Sequence, residues 1–157
     1  MIALLTRATH GAALVILAFL ATSCASIVPD GFVPVASRYG RDLEALSADG
    51  ALYTATSHPS PEEATLEFWT IAVKRELVER RGYAIFMEGD VRAKSGAPGY
   101  ELCLRTPASL GDQRYLLTLF LESRWGENRV HVIEAAGPTD LVDPKLPAIR
   151  EAIRASY

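Results

Sequence analysis

The residues best suited to acid–base chemistry lie around a short turn late in the chain. The turn WGEN, residues 125–128, separates two apolar segments that read as strands. If Gly126 and Glu127 form the centre of this turn, Glu122 lies directly across from His131 with both side chains on one face. A carboxylate beside an imidazole favours the charged ring and supports proton transfer. The same pair also occurs on ordinary sheet surfaces, where it only stabilises cross-strand packing.

Other catalytic signals are absent from the sequence. No nucleophile is predicted in register beside Glu122 and His131, and Glu134 is expected in solvent at a strand end. The sequence contains no GxSxG, HExxH or CxxC motif, and His58 is far from His131 along the chain. The sequence therefore predicts no cofactor and no metal site, and a hydrolase-like enzyme using Glu122 and His131 is only an alternative.

The two cysteines stand in different surroundings. Cys103 lies in YELCLRT, a segment that reads as a strand, where a small buried hydrophobe is expected rather than a reactive thiol. Cys24 follows GAALVILAFLAT, residues 11–22, which is typical of the apolar region of an export signal. A bilayer-spanning helix needs ~20 apolar residues, and Arg7 and His10 interrupt this run, so a permanent transmembrane anchor is less favoured.

The residues before Cys24 resemble the lipobox of bacterial lipoproteins, in which an apolar residue and small residues precede a cysteine. Here Ala21, Thr22 and Ser23 are small, although the family prefers Leu at the position of Ala21 and this chain has Leu20 instead. The resemblance implies a diacylglycerol on the Cys24 thiol, cleavage between Ser23 and Cys24, and acylation of the new amino terminus. Cleavage after Ser23 by the ordinary secretory peptidase is the alternative.

The residues after Cys24 bear on the destination of the protein. Ala25 and Ser26 follow the cysteine, whereas an Asp there tends to retain Gram-negative lipoproteins at the inner membrane. The resemblance therefore implies the periplasmic face of the outer membrane. Acyl chains on one cysteine would hold the protein permanently on the bilayer, because each buried methylene contributes ~0.8 kcal/mol.

Three segments are predicted: a lipoprotein signal peptide at 1–23, the lipidated cysteine with a tether at 24–37, and a single α+β domain at 38–157. The tether is inferred from Pro29, Gly31 and Pro34, which interrupt any sustained helical or strand periodicity of apolar residues. Residues 39–46 fit either a short strand or a helical turn.

The domain is predicted to begin with a strand, ALYTATS, and then a helix. Ser60, with Pro61 and Glu63 behind it, predicts the helix cap, and Gly82 predicts the end. Apolar residues recur at helical spacing and form a wide stripe: Ala64, Leu66, Phe68, Trp69, Ile71, Ala72, Val73 and Leu77. The charged residues are interpreted as a solvated face with near-neighbour ion pairs, or alternatively as a docking surface: Lys74, Arg75, Glu76, Glu79, Arg80 and Arg81.

Four antiparallel strands and a closing helix are predicted after Gly82. In the longest strand Leu117 and Leu119 lie on one face while Leu116 and Phe120 lie on the other, so both faces need a cover. The final helix, LPAIREAIRASY, supplies the second cover. The predicted fold is an antiparallel sheet of about five or more strands between two helices, in the order β-α-β-β-β-β-α.

This order, with a closing helix that ends in Ser156 and Tyr157, resembles the PsbP-like sandwich of photosystem accessory proteins and many bacterial lipoproteins. The resemblance implies a non-enzymatic module that binds or positions another envelope component, held to the membrane by its lipid. A small apolar-ligand carrier with a pocket lined by Trp69 and Phe120 is an alternative. A net charge of -3 disfavours nucleic acid as a partner.

Overall fold

Seven antiparallel strands organise the part of the chain that the computed structural model describes, residues 27–37 and 40–157. The strands are β1 (Phe32–Pro34), β2 (Leu43–Ser47), β3 (Leu52–Ser60), β4 (Ala84–Arg92), β5 (Pro98–Arg105), β6 (Gln113–Arg124) and β7 (Glu127–Pro138). They lie in the order β1-β2-β3-β7-β6-β5-β4. The predicted signal peptide, Ser23, Cys24 and Tyr39 lie outside the described residues.

Helices cover both faces of the sheet. Helix α1 (Leu66–Lys74) covers one face, and α3 (Leu146–Ser156), which follows the short α2 (Thr139–Val142), covers the other. Leu117 and Leu119 of β6 pack with the α1 residues, while Leu116 and Phe120 pack with Ile149 of α3. A fully buried side chain of this kind contributes ~1.5–3 kcal/mol. The predicted α+β sandwich is confirmed.

The sheet has two amino-terminal strands beyond the predicted set. The stretch that fits either a strand or a helical turn forms strand β2 from Leu43 onward, and β1 lies inside the interval 24–37 that the sequence assigned to a tether. Phe32 of β1 is buried, with its ring centroid 6.1 Å from that of Tyr53. Among the described residues, contacts with the domain therefore begin at Ile27.

The predicted helix start is wrong. Strand β3 continues through Ser60, and α1 is capped by Thr65, whose side chain accepts a hydrogen bond from the Phe68 amide at 3.1 Å. Ser60 instead accepts a hydrogen bond from Trp69 Nε1 at 2.9 Å. Thr65 has the same capping chemistry as Ser60, and the β3–β7 pairing leaves Ser60 extended.

The apolar stripe of the helix is narrower than predicted, because Phe68 and Ile71 are exposed. After Lys74 the helix continues as a π-helical segment, residues 75–80, and Gly82 ends it with a positive φ of 71°. The predicted ion pairs are confirmed at Arg75–Glu79, Arg80–Glu76 and Arg81–Glu76.

Candidate functional site

The hairpin between β6 and β7 has a different register from the predicted one. Trp125 and Gly126 form the turn, so Glu122 pairs with Arg129 and His131 pairs with Phe120. The register is shifted by two residues, which keeps every side chain on its predicted face. Glu122 Oε2 therefore still reaches His131 Nε2 diagonally, at 3.1 Å.

The surroundings of His131 are those of a packed residue. The imidazole is buried, and its centroid lies 4.6 Å from that of the Tyr157 ring. Ser57, which the sequence reasoning missed, lies directly across from His131 on β3. Its Oγ accepts a hydrogen bond from Arg129 Nε at 2.8 Å, and within the described residues it makes none with the imidazole. The hydroxyl is thus not joined to the base that would activate it.

The prediction that Glu134 lies in solvent at a strand end is wrong. Glu134 is in the middle of β7 and half-buried, and it accepts hydrogen bonds from the Tyr115 hydroxyl and from Thr54 Oγ1. Burial first, and then the Glu134 carboxylate, raise the pKa of Tyr115 well above its ordinary value. Tyr115 therefore stays protonated and serves as a donor. These three residues border a shallow groove of about 230 Å³.

Cys103 is a buried core residue, as the sequence predicts. It is fully inaccessible on the α3 side of β5 and packs with Leu116. Burial raises the pKa of its thiol, so the reactive thiolate is suppressed at neutral pH.

The apolar-ligand pocket predicted between Trp69 and Phe120 does not form, because the two rings lie on opposite faces of the sheet. Trp69 packs in the core under α1, and Phe120 packs under α3 against the Tyr157 ring at 5.2 Å. The sheet itself separates them, so no cavity between one helix and the sheet contains both.

A groove of about 300 Å³ runs along β4 beside α3. Met87, Gly89 and Val91 line one wall, and Ile153 of α3 contributes to the other. A Cβ placed on Gly89 would meet no atom within 4 Å, so this wall is open. The apolar side chains of these walls can contact an apolar side chain that enters from outside.

The floor of the groove is polar and largely paired. Arg150 Nε donates to Glu101 Oε1 at 2.9 Å, and the Glu101 side chain is buried. Thr118, fully buried beside Glu101, has a hydroxyl with no hydrogen-bond partner among the described residues. A buried hydroxyl without a partner is unfavourable, so a polar group that enters the groove would relieve that cost.

Strand β4 leaves an open edge beside this groove. It is the last strand of the sheet, and no strand of residues 27–37 and 40–157 pairs with its outer side. Ala93 N donates to Ala97 O at 3.1 Å, so these two residues form a hydrogen-bonded pair. Hydrogen-bonded and non-hydrogen-bonded pairs alternate along an antiparallel ladder, so Val91 and Gly89 also bond to β5. The backbone groups of Glu88 and Asp90 therefore point outward.

Strand β1, at the opposite edge of the sheet, is closed to such pairing. Strand β1 has three residues, and Val35 N donates to Glu44 O at 2.9 Å. The same alternation turns position 34 outward, where Pro34 has no amide to donate. The two edges therefore differ: β1 is short and blocked, whereas β4 has nine residues and no proline.

An exposed aromatic side chain extends the surface at the start of β4. Phe86 is 62% exposed, and the Arg114 guanidinium carbon lies 4.2 Å from its ring centroid. Arg114 is itself buried and forms two hydrogen bonds to Asp143, at 2.6 and 2.9 Å. The Phe86 ring is therefore held from below by a fixed cation while its outer face remains open.

Neither a metal cluster nor a membrane-spanning helix is present among the described residues. No group of three His, Cys, Asp or Glu side chains in this part of the chain is placed to hold a metal ion. No described helix has the length and apolar character needed to cross a bilayer.

The chain matches no protein-family model and no curated protein in sequence. Solved structures match it by fold. LpqN, involved in cell envelope biogenesis of Mycobacterium tuberculosis, superposes with a TM-score of 0.66 and 12% identity, covering 78% of this chain and 75% of that chain. A Pseudomonas aeruginosa protein of unknown function, a putative regulator, superposes with a TM-score of 0.54 and 13% identity, covering 78% of each chain.

The Saccharomyces cerevisiae Ran-binding protein Mog1p is a third match, with a TM-score of 0.51 and 14% identity over 82% of each chain. At these identities the matches show a shared α/β sandwich fold. The likeness to PsbP stays a prediction from the sequence.

Proposed function

We propose that this chain is an envelope lipoprotein, anchored by an acylated Cys24, whose sandwich domain binds a partner protein without catalysing a reaction. The export signal and the small residues before Cys24 support the anchor and cleavage between Ser23 and Cys24. Ala25 and Ser26 support the periplasmic face of the outer membrane as the location. The fold shared with an envelope-biogenesis protein and with a Ran-binding protein supports a binding role.

The open edge of β4 is the observation that carries the binding role. An exposed edge strand pairs readily with another chain, and proteins usually block it with proline or lysine or keep it short. This sheet blocks the β1 edge with Pro34, whereas β4 has no proline and, after a bulge between Ile85 and Met87, keeps a regular open edge from Met87 to Arg92. The partner is proposed to supply an extended segment that adds to β4 as an eighth strand.

The α3 groove gives this pairing its specificity. Side chains of an added strand alternate between the two faces, so every second one would enter the groove beside Met87 and Val91. A small polar side chain there could bond the Thr118 hydroxyl, and an apolar one would pack on Phe86 near the strand start. We expect a partner segment that alternates apolar and small polar residues.

A proline substitution tests the strand pairing. Asp90→Pro removes an outward amide and leaves the inner ladder to β5 in place. A photo-crosslinking residue at Glu88 of the full-length protein, expressed in its own cells, should give a crosslinked product that Asp90→Pro reduces by about tenfold or more. Asp90→Ala removes the carboxylate and keeps the amide, so it should reduce crosslinking far less.

Two outcomes would contradict the proposal. One is a product that forms equally in Asp90→Pro and the parent protein, which would show that pairing is not through the backbone. The other is an equal yield when the crosslinking residue stands at Val33, which is exposed on β1 at the opposite edge of the sheet.

A further inference from the structure

We infer that one end of the sandwich rests on the bilayer that holds the lipid anchor, with Trp125 in the phospholipid headgroup layer. The inference rests on the acylation of Cys24 proposed above. It adds a defined orientation to that anchor, because the described chain is held on the domain from Ile27 onward.

The chain enters the domain at the carboxyl end of α3. Ile27 N donates to Ser156 Oγ at 2.8 Å, and Val28 packs against the core on the α3 side. Cys24 is three residues before Ile27. An extended chain spans ~3.3–3.6 Å per residue, so the acylated cysteine lies within about 10 Å of Ile27.

Several elements meet at this end of the domain. Ser95, in the turn between β4 and β5, donates its amide to the Tyr157 carbonyl at 3.1 Å. The Tyr157 ring stacks on Phe120 at 5.2 Å between centroids. These contacts fix the carboxyl end of α3, the β4–β5 turn and Phe120 of β6 at one level, which we call the anchor end.

The β6–β7 hairpin projects beyond the anchor end. From Phe120 the strand continues to Arg124, and Trp125 begins the turn. At ~3.4 Å per residue, the five steps from Phe120 to Trp125 span about 17 Å along the strand, and less when the strand is tilted. This projection is of the same order as the reach of Cys24 from Ile27. The hairpin tip and the lipidated cysteine can therefore meet one membrane surface.

Trp125 is an unusual residue for this tip. Its side chain is 93% exposed, and its φ of 59° is left-handed. The position is the first of a two-residue hairpin turn, which favours Asn, and a left-handed conformation costs other residues ~1–2 kcal/mol. The exposed ring also makes no hydrogen bond within the described residues. Neither packing nor hydrogen bonding therefore explains a tryptophan at this position. Tryptophan concentrates at membrane interfaces, where its ring is buried and its N–H stays hydrated.

The neighbours of Trp125 suit phospholipid headgroups. Arg124 is exposed and has no ion-pair partner among the described residues, and a guanidinium binds phosphate in a two-point geometry. Glu127 across the turn carries the opposite charge, so zwitterionic headgroups fit this tip as well as anionic ones. A bilayer that contains zwitterionic phospholipids is the surface that we infer.

Fluorescence quenching tests the inferred orientation. The full-length lipoprotein, matured in bacteria and purified in detergent, is reconstituted into phosphatidylethanolamine–phosphatidylglycerol vesicles with or without brominated acyl chains. Trp125→Phe leaves only Trp69, so the difference between parent and variant isolates Trp125. Brominated lipid should reduce the Trp125 emission by about twofold or more, because the ring lies at the interface. Equal emission in both vesicles, with Trp125 fully open to acrylamide, would overturn the inference.

A matched control places a tryptophan at the other end. Leu110 is 56% exposed in the β5–β6 connection, remote from the anchor end. Leu110→Trp in the Trp125→Phe background should show no quenching by brominated lipid, and strong quenching there would reverse the orientation. The mass of the amino-terminal peptide from the same sample separates two failures. An acylated Cys24 with an unshielded Trp125 overturns the orientation alone, whereas an unmodified Cys24 overturns the anchor as well.

Discussion

Replacement of Asp143 by alanine should destabilise the domain strongly, because it leaves Arg114 as a buried charge. Arg114 is 2% exposed and depends on Asp143 for two hydrogen bonds, at 2.6 and 2.9 Å. Its Nη1 is already buried without a hydrogen-bond partner among the described residues. The ring of Phe86 also contacts the guanidinium, and Asp112 adds a weaker attraction.

The size of the expected stability loss depends on how exposed the side chains of Arg114 and Asp143 are. Removal of one member of a fully buried ion pair costs ~3–5 kcal/mol. The Asp143 side chain is 39% exposed, so water partly replaces its carboxylate and the expected loss is about 2–3 kcal/mol. With a urea dependence of about 2 kcal/mol per molar, the unfolding midpoint should fall by about 1–1.5 M.

Urea unfolding followed by circular dichroism measures the effect, and a double variant isolates its cause. Arg114→Met with Asp143→Ala removes both charges and fills the space beneath Phe86, so it should recover at least half of the loss. A loss below about 0.5 kcal/mol for the single variant, within the ordinary range of a surface change, would show that Arg114 does not depend on Asp143. A double variant less stable than the single one would contradict that dependence as well.

Three other predictions use the same unfolding measurement or a thiol assay. The Arg114 guanidinium, chiefly through its hydrogen bond, holds the pKa of Asp143 below its ordinary value. The stabilisation is therefore complete above the unfolded pKa of ~3.9 and lost as the pH falls through the lower folded pKa. The stability gap between parent and Asp143→Ala should narrow below about pH 4, and a gap that is constant down to acid unfolding would contradict this. Trp125→Asn should raise the free energy of unfolding by about 1 kcal/mol, because Asn tolerates a φ of 59° and removal of the exposed ring costs no packing. A decrease in the free energy of unfolding would show that the ring makes a stabilising contact. Cys103 should react with a thiol reagent only on unfolding, and rapid reaction of the native protein would contradict its burial.

The elements with strong periodicity were predictable from the sequence. The alternation of Leu116 to Phe120 indicates apolar residues on both faces of β6, and two covering helices follow from it. The face of Glu122 and His131 was also predictable, because an even shift of register leaves faces unchanged. The position of the turn was not predictable, since a tryptophan with positive φ contradicts the residue preferences of a two-residue hairpin turn.

The remaining errors have tertiary causes. Pro59 and Ser60 look like a helix boundary, yet β3 continues through them because it pairs with β7 as far as Ser60. Strand β2 pairs only with Leu52 to Ala55. One side of β3 is free of a strand beyond that point, and a proline is tolerated there. Strand β1 has three residues and a proline, which leaves no alternation to detect. The proposed β4 edge depends on strand order, which no local pattern reports.

The mass of the mature amino-terminal peptide tests the anchor on which the proposed location and orientation depend. We expect a peptide that begins at Cys24 and carries a diacylglyceryl group on sulfur and an acyl group on its amino terminus. A peptide with a free Cys24 thiol, from a protein that partitions entirely into water, would contradict it.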